Sequence, residues 1–170
     1  MPPKAMQTIR VIGALPYESV RERCHQIKDG ICGTIHAEAQ RLAKFLPVAA
    51  VLIPVPGHRG YPDYTDTLAF EIVRAAQKLG KEIKHFPVLL CQPHPSFCQL
   101  KHDEKKVLPE IRMKWSSEYW KKTILEYQEA GYDVILVDNV IDTGKTARAC
   151  MSLLGPVQVL ATGDTGRHKI

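Results

Sequence analysis

Val134-Ile135-Leu136-Val137-Asp138-Asn139-Val140-Ile141-Asp142-Thr143-Gly144-Lys145-Thr146 begins as an unbroken apolar run and turns polar within one strand length. The run, from Asp133 to Val140, reads as a strand buried on both faces, the habit of parallel sheets. Polar residues then arrive where the carboxyl end of the strand should open. Along a persisting strand Asp138 and Asn139 point to opposite faces, so at least one of them reaches a ligand above the sheet. Asp142 to Thr146 is a tight turn into a helix. Its small residues let backbone N–H groups approach an anion, the helix N-terminus adds its positive end, and Thr143 and Thr146 add hydroxyl donors. The segment is a cradle for a phosphate, with oxygen ligands for a sugar beside it. Gly144-Lys145-Thr146 does not make a Walker A loop, because that motif needs a glycine five residues before the Gly-Lys pair and position 139 is Asn.

Working outward, Val48 to Val55 is a second continuous apolar run and reads as another buried strand. Pro54, Pro56, Gly57 and Gly60 follow as a stiff, turning loop. Leu68, Ile72, Ala75 and Leu79 mark one face of a helix that Gly80 ends. Earlier, Thr8 to Ala14 is expected as a first strand that Pro16 breaks, and Ile35, Ala39, Leu42 and Leu46 predict a helix over Gly33 to Leu46. Ile83 to Cys91 is expected as one strand, Gln92 to Trp115 as a long loop, and Ser116 or Ser117 as the cap of a helix reaching Ala130. Ala147, Cys150, Met151 and Leu154 share a helical face before Gly155-Pro156, and Val157 to Thr162 forms a last strand. Such alternation implies a parallel twisted sheet with helices on both faces, with ligands beyond the carboxyl ends of its strands.

Composition bounds this reading. A chain of 170 residues, 45% hydrophobic and 24% charged, supports one core and excludes disorder as its main state. The 11 Gly and 12 Pro follow no period, which excludes collagen-like sequence. No apolar run approaches the roughly 20 residues of a bilayer span, and the start carries no secretory h-region. An odd count of 5 cysteines then points to a reducing cytoplasm. The net charge of +5 suits an anionic small ligand or RNA equally.

Asp138 to Thr146 resembles the phosphoribosyl diphosphate motif of the type I phosphoribosyltransferases: a strand, two acidic residues, two apolar residues and a short Thr/Gly phosphate turn. Ile141-Asp142-Thr143-Gly144-Lys145-Thr146 is especially similar to the 6-oxopurine branch. Ile53-Pro54-Val55-Pro56-Gly57-His58-Arg59-Gly60, with Thr67-Leu68-Ala69 opening the next helix, looks more like the ComF competence-protein group. The resemblance covers about Val48 to Thr162, and its specific part is Asp138 to Thr146. It implies that Asp138 and Asn139 face the ribose 2′ and 3′ hydroxyls, and that Thr143, Gly144, Lys145 and Thr146 hold the 5′-phosphate. It implies a catalytic carboxylate, Asp142, near the incoming base. Pro56, Gly57, His58, Arg59 and Gly60 would bind the diphosphate, with Arg59 as a forked cation. Lys101, Lys105 and Lys106 fall where the family has a mobile catalytic loop. Asn139 departs from the pattern, which has an acid there, and so removes a negative charge.

These matches imply one domain over residues 1–170, with a core at 48–162 and an N-terminal strand and helix extension or hood over 1–46. The chain stops within a few residues of Thr162, short of the base-gripping segment of purine-type relatives, so that element is either missing or supplied by Thr8 to Leu46, and the acceptor is not readable from the sequence. The implied activity is Mg²⁺-dependent transfer of phosphoribose from 5-phosphoribosyl 1-diphosphate to a nitrogenous acceptor in the cytoplasm, by a homodimer. Asn139 and the ComF-like wording keep a second reading open: a ligand sensor or nucleic-acid-associated accessory protein on the same fold.

Other constellations carry less. Cys91, His94, Cys98 and His102 are metal-capable, but their spacing matches no common zinc site and Pro93 and Pro95 stiffen the segment. His36-Ala37-Glu38 lacks the later Pro-Cys-x-x-Cys of zinc deaminases and is expected as a helix-surface charge pair. Trp115, Tyr119 and Trp120 are expected to pack on the sheet rather than stack on a base. Gly163 to His168 is either a frayed tail or a phosphate-contacting loop, and fraying is the expectation.

Overall fold

The computed structural model describes residues 7–96 and 110–169. They form an α/β fold with a mainly parallel five-strand sheet and five helices. In chain order the elements are β1 (Arg10–Ile12), β2 (Leu15–Pro16), α1 (Tyr17–Lys28), α2 (Cys32–Ala43), β3 (Ala49–Pro54), α3 (Tyr64–Lys78) and β4 (Glu82–His85). Then come β5 (Leu89–Cys91), β6 (Met113–Trp115), α4 (Glu118–Glu129), β7 (Asp133–Ile141), α5 (Lys145–Leu154), β8 (Gln158–Asp164) and a 3-10 turn, Arg167–Lys169. The sheet runs β1-β8-β7-β3-β4, every pairing parallel. β2 also pairs with β8. The partners Arg10↔Gln158 and Leu15↔Gly163 keep one register, so β1 and β2 are a single edge strand interrupted at Gly13 and Ala14. β5 and β6 form a separate antiparallel pair.

Both faces of the sheet are covered, which is why its strands read as continuous apolar runs. Ala50, Leu52, Ile135, Val137 and Leu160 pack with Ile27 of α1, Leu42 of α2 and Leu68 and Ile72 of α3. Their strand neighbours Val51, Ile53, Val134, Leu136, Val159 and Ala161 point the other way, onto Ile124 of α4 and Ala147, Cys150 and Met151 of α5. The period of two thus sorts the core into two layers. Phe86 stacks against Trp120, centroids 5.1 Å apart, and against Tyr127 at 5.6 Å; Trp115 and Trp120 pack on the core as expected, whereas Tyr119 is 67% exposed.

Several expectations need correction. The stretch Gln92 to Trp115, expected as a loop, ends in the strand β6, Met113–Trp115. Ile83 to Cys91 is two strands, because Pro87 has no N–H to give a ladder: β4 stays in the sheet and β5 leaves it for β6. Pro16 does not merely break the chain; it stands at the N-cap of α1, a helix not expected from the sequence. Glu38 is no surface charge. It is 2% exposed on the inner face of α2, where Arg23 (3.0 Å) and Arg41 (Nε to Oε1, 3.0 Å) neutralise it, while His36 faces Glu71 at 3.8 Å. The tail is not frayed: β8 runs on to Asp164, and the 3-10 turn is tied back by Arg148. Residues before β3, expected as an extension or hood, supply the edge strand and two helices of one layer. The end of α2 is closed by Lys81, whose ammonium donates to the carbonyls of Ala43 (2.9 Å) and Leu46 (2.7 Å). Among the described residues no helix is long and apolar enough to cross a membrane.

Candidate functional site

The sheet order fixes where a ligand can enter. From β3 the chain crosses by α3 to β4 on one side; from β7 it crosses by α5 to β8 on the other. α3 and α5 lie on opposite faces. β3 and β7 therefore flank a topological switch point, where connections diverge and leave a crevice at the carboxyl ends. The register deepens it. β3 last pairs at Pro54↔Val137, whereas β7 stays paired with β8 as far as Ile141↔Asp164. Asp138 to Ile141 thus overhang on the side where β3 has left. A cleft of about 550 Å³ opens there, walled by Val55 to His58, Asp138 to Ala147, α1 and the end of β8.

The turn from β7 into α5 is built rigidly. Gly144 is the N-cap residue with φ +82°, and no side chain caps this helix. A Cβ there would collide with Ile9 and crowd Arg148 and His168. Arg148 donates to the carbonyls of Thr143 (2.8 Å), His168 (2.8 Å) and Gln7 (3.2 Å), clamping the turn between the two ends of the described chain. Asp142, Thr143, Lys145 and Thr146 all border the cleft. The first-turn amides of α5 have no carbonyl to bond inside the helix, and the helix dipole concentrates positive charge there. The structure thus brings together the residues expected to hold a phosphate.

Asp138 and Asn139 part company. Asp138 accepts the Asn139 N–H at 2.7 Å, and burial pushes its carboxyl up to about 7, against the lowering effect of hydrogen bonds from the Asn139 and Val140 amides. Asn139, expected to face the sugar, is 4% exposed; its Nδ2 donates to the Cys24 carbonyl of α1 at 2.8 Å. It ties the helix above the cleft to the strand below. Its Oδ1 and the Thr162 Oγ1, on neighbouring positions of β7 and β8, are buried without a hydrogen-bond partner among the described residues. Asn139→Asp would replace a donor by an acceptor aimed at a carbonyl. It is expected to destabilise the protein by about 2–4 kcal/mol at pH 8, read by urea unfolding. A variant as stable as its parent would remove this tie from the account.

The remaining expected residues divide. Pro56, Gly57 and His58 line the cleft; Arg59 and Gly60 do not. Arg59 is turned to Asp63, 3.5 Å away, and hydrogen-bonds Tyr61, which together with Asp63 raises its pKa further. Gly60 is buried at φ +98°, so close to the Cys91 carbonyl that no Cβ fits. Its own carbonyl accepts the Cys91 N–H at 2.9 Å, and His58 accepts from His94 at 2.8 Å, so this loop is laced to the segment after β5. Asp142 accepts from the Thr165 hydroxyl at 2.9 Å and lies 3.5 Å from Arg167. Lys101, Lys105, Lys106, Cys98 and His102 lie outside the described residues. Cys91 is packed against the Gly57 carbonyl and His94 against the Pro95 carbonyl, and no group of three or more metal-capable side chains occurs among the described residues.

Sequence reasoning missed the opposite wall. Tyr17, Arg21, Cys24, His25 and Lys28 of α1 border the cleft, and so do Asp164, Thr165 and Arg167 of the tail, for which contact with a ligand was the second of the two readings. The signal was present: Val20, Cys24 and Ile27 are buried at helical spacing behind an exposed row of charges. Burial pushes the Cys24 thiol up to about 11, which makes it packing rather than a nucleophile. Asp164 holds the buried His168, Nε2 to Oδ1 at 3.0 Å. No established family profile and no curated protein sequence matches this chain.

Proposed function

We propose that the cleft binds 5-phosphoribosyl 1-diphosphate and that the protein transfers its phosphoribosyl group to a nitrogenous acceptor. One observation carries this reading: the amide-rich turn opening α5 and the Asp138 carboxyl face the same crevice at the switch point of a parallel sheet. The turn takes the 5′-phosphate through first-turn amides and the Thr143 and Thr146 hydroxyls. Asp138, when ionised, accepts from the ribose hydroxyls. In the reaction the bond from the anomeric carbon to the diphosphate oxygen breaks, its electron pair leaving on the diphosphate. The acceptor nitrogen forms the new bond and gives its proton to a base. The chain's contribution is to hold the reacting atoms in line and to keep water from the cationic centre.

Magnesium fits this donor set as an ion held mainly by ligand oxygens and water with one or two carboxylates, and Asp138 is the chain's donor for it. It would supply charge neutralisation on the departing diphosphate. Asp142 is the candidate base, and it must first leave Arg167 and Thr165. That engagement, with Asn139 committed to Cys24, favours a second reading in which the protein binds the diphosphate sugar without turning it over.

Titration calorimetry with ribose 5-phosphate tests the site. Binding is expected, and Thr146→Val is expected to weaken it about 10–150-fold, the worth of one hydrogen bond to a charged group. No binding by the parent protein removes the reading. Pyrophosphate release, assayed with the diphosphate sugar, Mg²⁺ and a panel of nitrogenous bases, separates the two versions: release supports transfer, and tight binding without release leaves the sensor.

A further inference from the structure

Arg148 stands behind the phosphate turn rather than in the cleft. Thr143, Gly144, Lys145 and Thr146 border the cleft; Arg148, at the end of the first turn of α5, does not. A Cβ on Gly144 would meet Ile9, Arg148 and His168, and none of these borders the cleft, so that flank is the closed side of the turn. Half-buried there, Arg148 donates from Nη1 to the Thr143 carbonyl (2.8 Å), from Nη2 to the His168 carbonyl (2.8 Å) and from Nε to the Gln7 carbonyl (3.2 Å). Among the described residues its partners are these carbonyls, and no carboxylate pairs with it. A planar fork with fixed donor directions suits three acceptors at set positions.

The bond to Thr143 decides which charge the turn presents. A trans peptide points its C=O and its N–H in opposite directions. With the Thr143 carbonyl held on the closed side, the Gly144 N–H is directed to the cleft side. No group among the described residues accepts that N–H, so it is a donor left for a ligand. Gly144 does not keep this orientation by itself. Its φ of +82° is open to glycine, but so is the negative range, and turning the Thr143–Gly144 peptide over moves φ from one to the other. The turned peptide would put a carbonyl oxygen where the phosphate oxygens go. Arg148 separates the two arrangements, because only the first gives its Nη1 an acceptor.

We infer that Arg148 is the positioning residue of the phosphate subsite: by holding the Thr143 carbonyl it aims the Gly144 N–H into the cleft, and its charge, which no carboxylate neutralises, stands behind that peptide. The inference rests on the reading of the α5 turn given above and deepens it, since it makes phosphate affinity depend on a side chain that does not touch the ligand. Because the fork also holds Gln7 and His168, the turn is set by residues before β1 and after β8 and not by its own sequence alone.

The test uses the full chain at pH 7, isotope-labelled at the glycine nitrogens for NMR, with ribose 5-phosphate and inorganic phosphate as probes and R148M and R148K as variants. In the parent the Gly144 amide resonance should move as either probe binds, because a charge-assisted bond forms on it. R148M keeps apolar bulk and loses the donors. Its affinity for both probes should fall about ten-fold or more. Its Gly144 amide should be displaced in the free protein, while the Gly155 and Gly163 amides stay where they were. R148K keeps the charge and a donor without the fork, and should recover part of the affinity lost in R148M. An R148M that loses affinity with its Gly144 amide unmoved overturns the role. So does one in which all glycine amides move together, which makes Arg148 a residue of the fold. Should R148M fail to fold, R148K reads the same two signals: affinity must fall and the Gly144 amide must move there together, and an R148K equal to its parent overturns the role, since an ammonium lacks the fork. A parent that binds and an R148M that binds equally well overturn Arg148 alone. A parent that binds neither probe overturns the phosphate reading itself.

Discussion

Asp138→Asn is expected to make the protein more stable at pH 8 and to strip it of affinity for ribose 5-phosphate. The carboxyl is raised from 3.8 to about 7, chiefly by burial. A folded value above the unfolded one means that the native state holds a proton the unfolded chain has released. That stabilisation is complete below about pH 4, drains away as pH rises toward 7, and is gone above it. Each unit is worth about 1.4 kcal/mol, and water entering the cleft lowers the total, so the variant should gain about 2–4 kcal/mol relative to its parent between pH 4 and pH 8. Asn keeps an oxygen for the Asn139 amide, so the backbone does not object. Its facing neighbours, Cys150 on α5 and Cys24 on α1, have thiols raised by burial and by Asp138 itself, and neither contributes a compensating cation. Ligand affinity should move the opposite way. Only the ionised form accepts two hydroxyls, so parent affinity should climb as pH passes 7, and the variant's loss should be about 10–100-fold at pH 8 and shrink as pH falls below 7. Urea unfolding at pH 4 and pH 8, beside calorimetry, reads both. A variant less stable at pH 8 would make Asp138 an ordinary structural acid and would end its candidacy for ribose.

Gly144→Ala is expected to cost about 3 kcal/mol and to disorganise the phosphate turn. A left-handed φ alone costs an L-residue about 1–2 kcal/mol. Here the new methyl also strikes Ile9, comes to 2.9 Å from Arg148 Nη1 and to 3.1 Å from His168 Cβ. Arg148 then cannot hold the Thr143, Gln7 and His168 carbonyls together. Gly155→Ala is the control. It has φ +77° with nothing within 4 Å of the added carbon, so it bears the backbone cost alone. Equal losses in the two variants would mean that the crowding at Gly144 relaxes freely and the clamp is soft.

The core of this architecture was legible because burial on both faces leaves a mark that one residue type cannot fake: β3 is apolar throughout and β7 from Val134 to Val137, and Leu68 and Ile72 of the expected α3 stripe are buried, although Ala76 rather than Ala75 completes it and Leu79 is exposed. The phosphate turn was legible for a related reason, since small residues and hydroxyls after a buried strand have few other uses. What stayed hidden depends on contacts far apart in sequence. α1 is a mostly charged helix with three buried positions, and its docking rests on a hydrogen bond from Asn139. Read locally, Asn139 was a ligand residue; the strand's alternation turned it to the other face. Arg59 sits in the right loop and points out of it, because Asp63 and Tyr61 are nearer partners than the cleft. The tail looks polar and Gly-rich, and it is held by groups distant along the chain, Arg148, Asp142 and the Ile141 carbonyl among them.

The pairing of β1 with β8 has a consequence for how the protein is made. Arg10 to Ile12 leave the ribosome well before their ladder partners, Gln158 to Leu160. The same holds for α1, whose seat is Gly163 and whose anchor is Asn139. A nascent chain can close the β3–β4 half through local contacts while α1 and the first strand wait without a template. The sheet edge can close only once β8 has emerged, so premature termination before β8 should yield chains that chaperones retain.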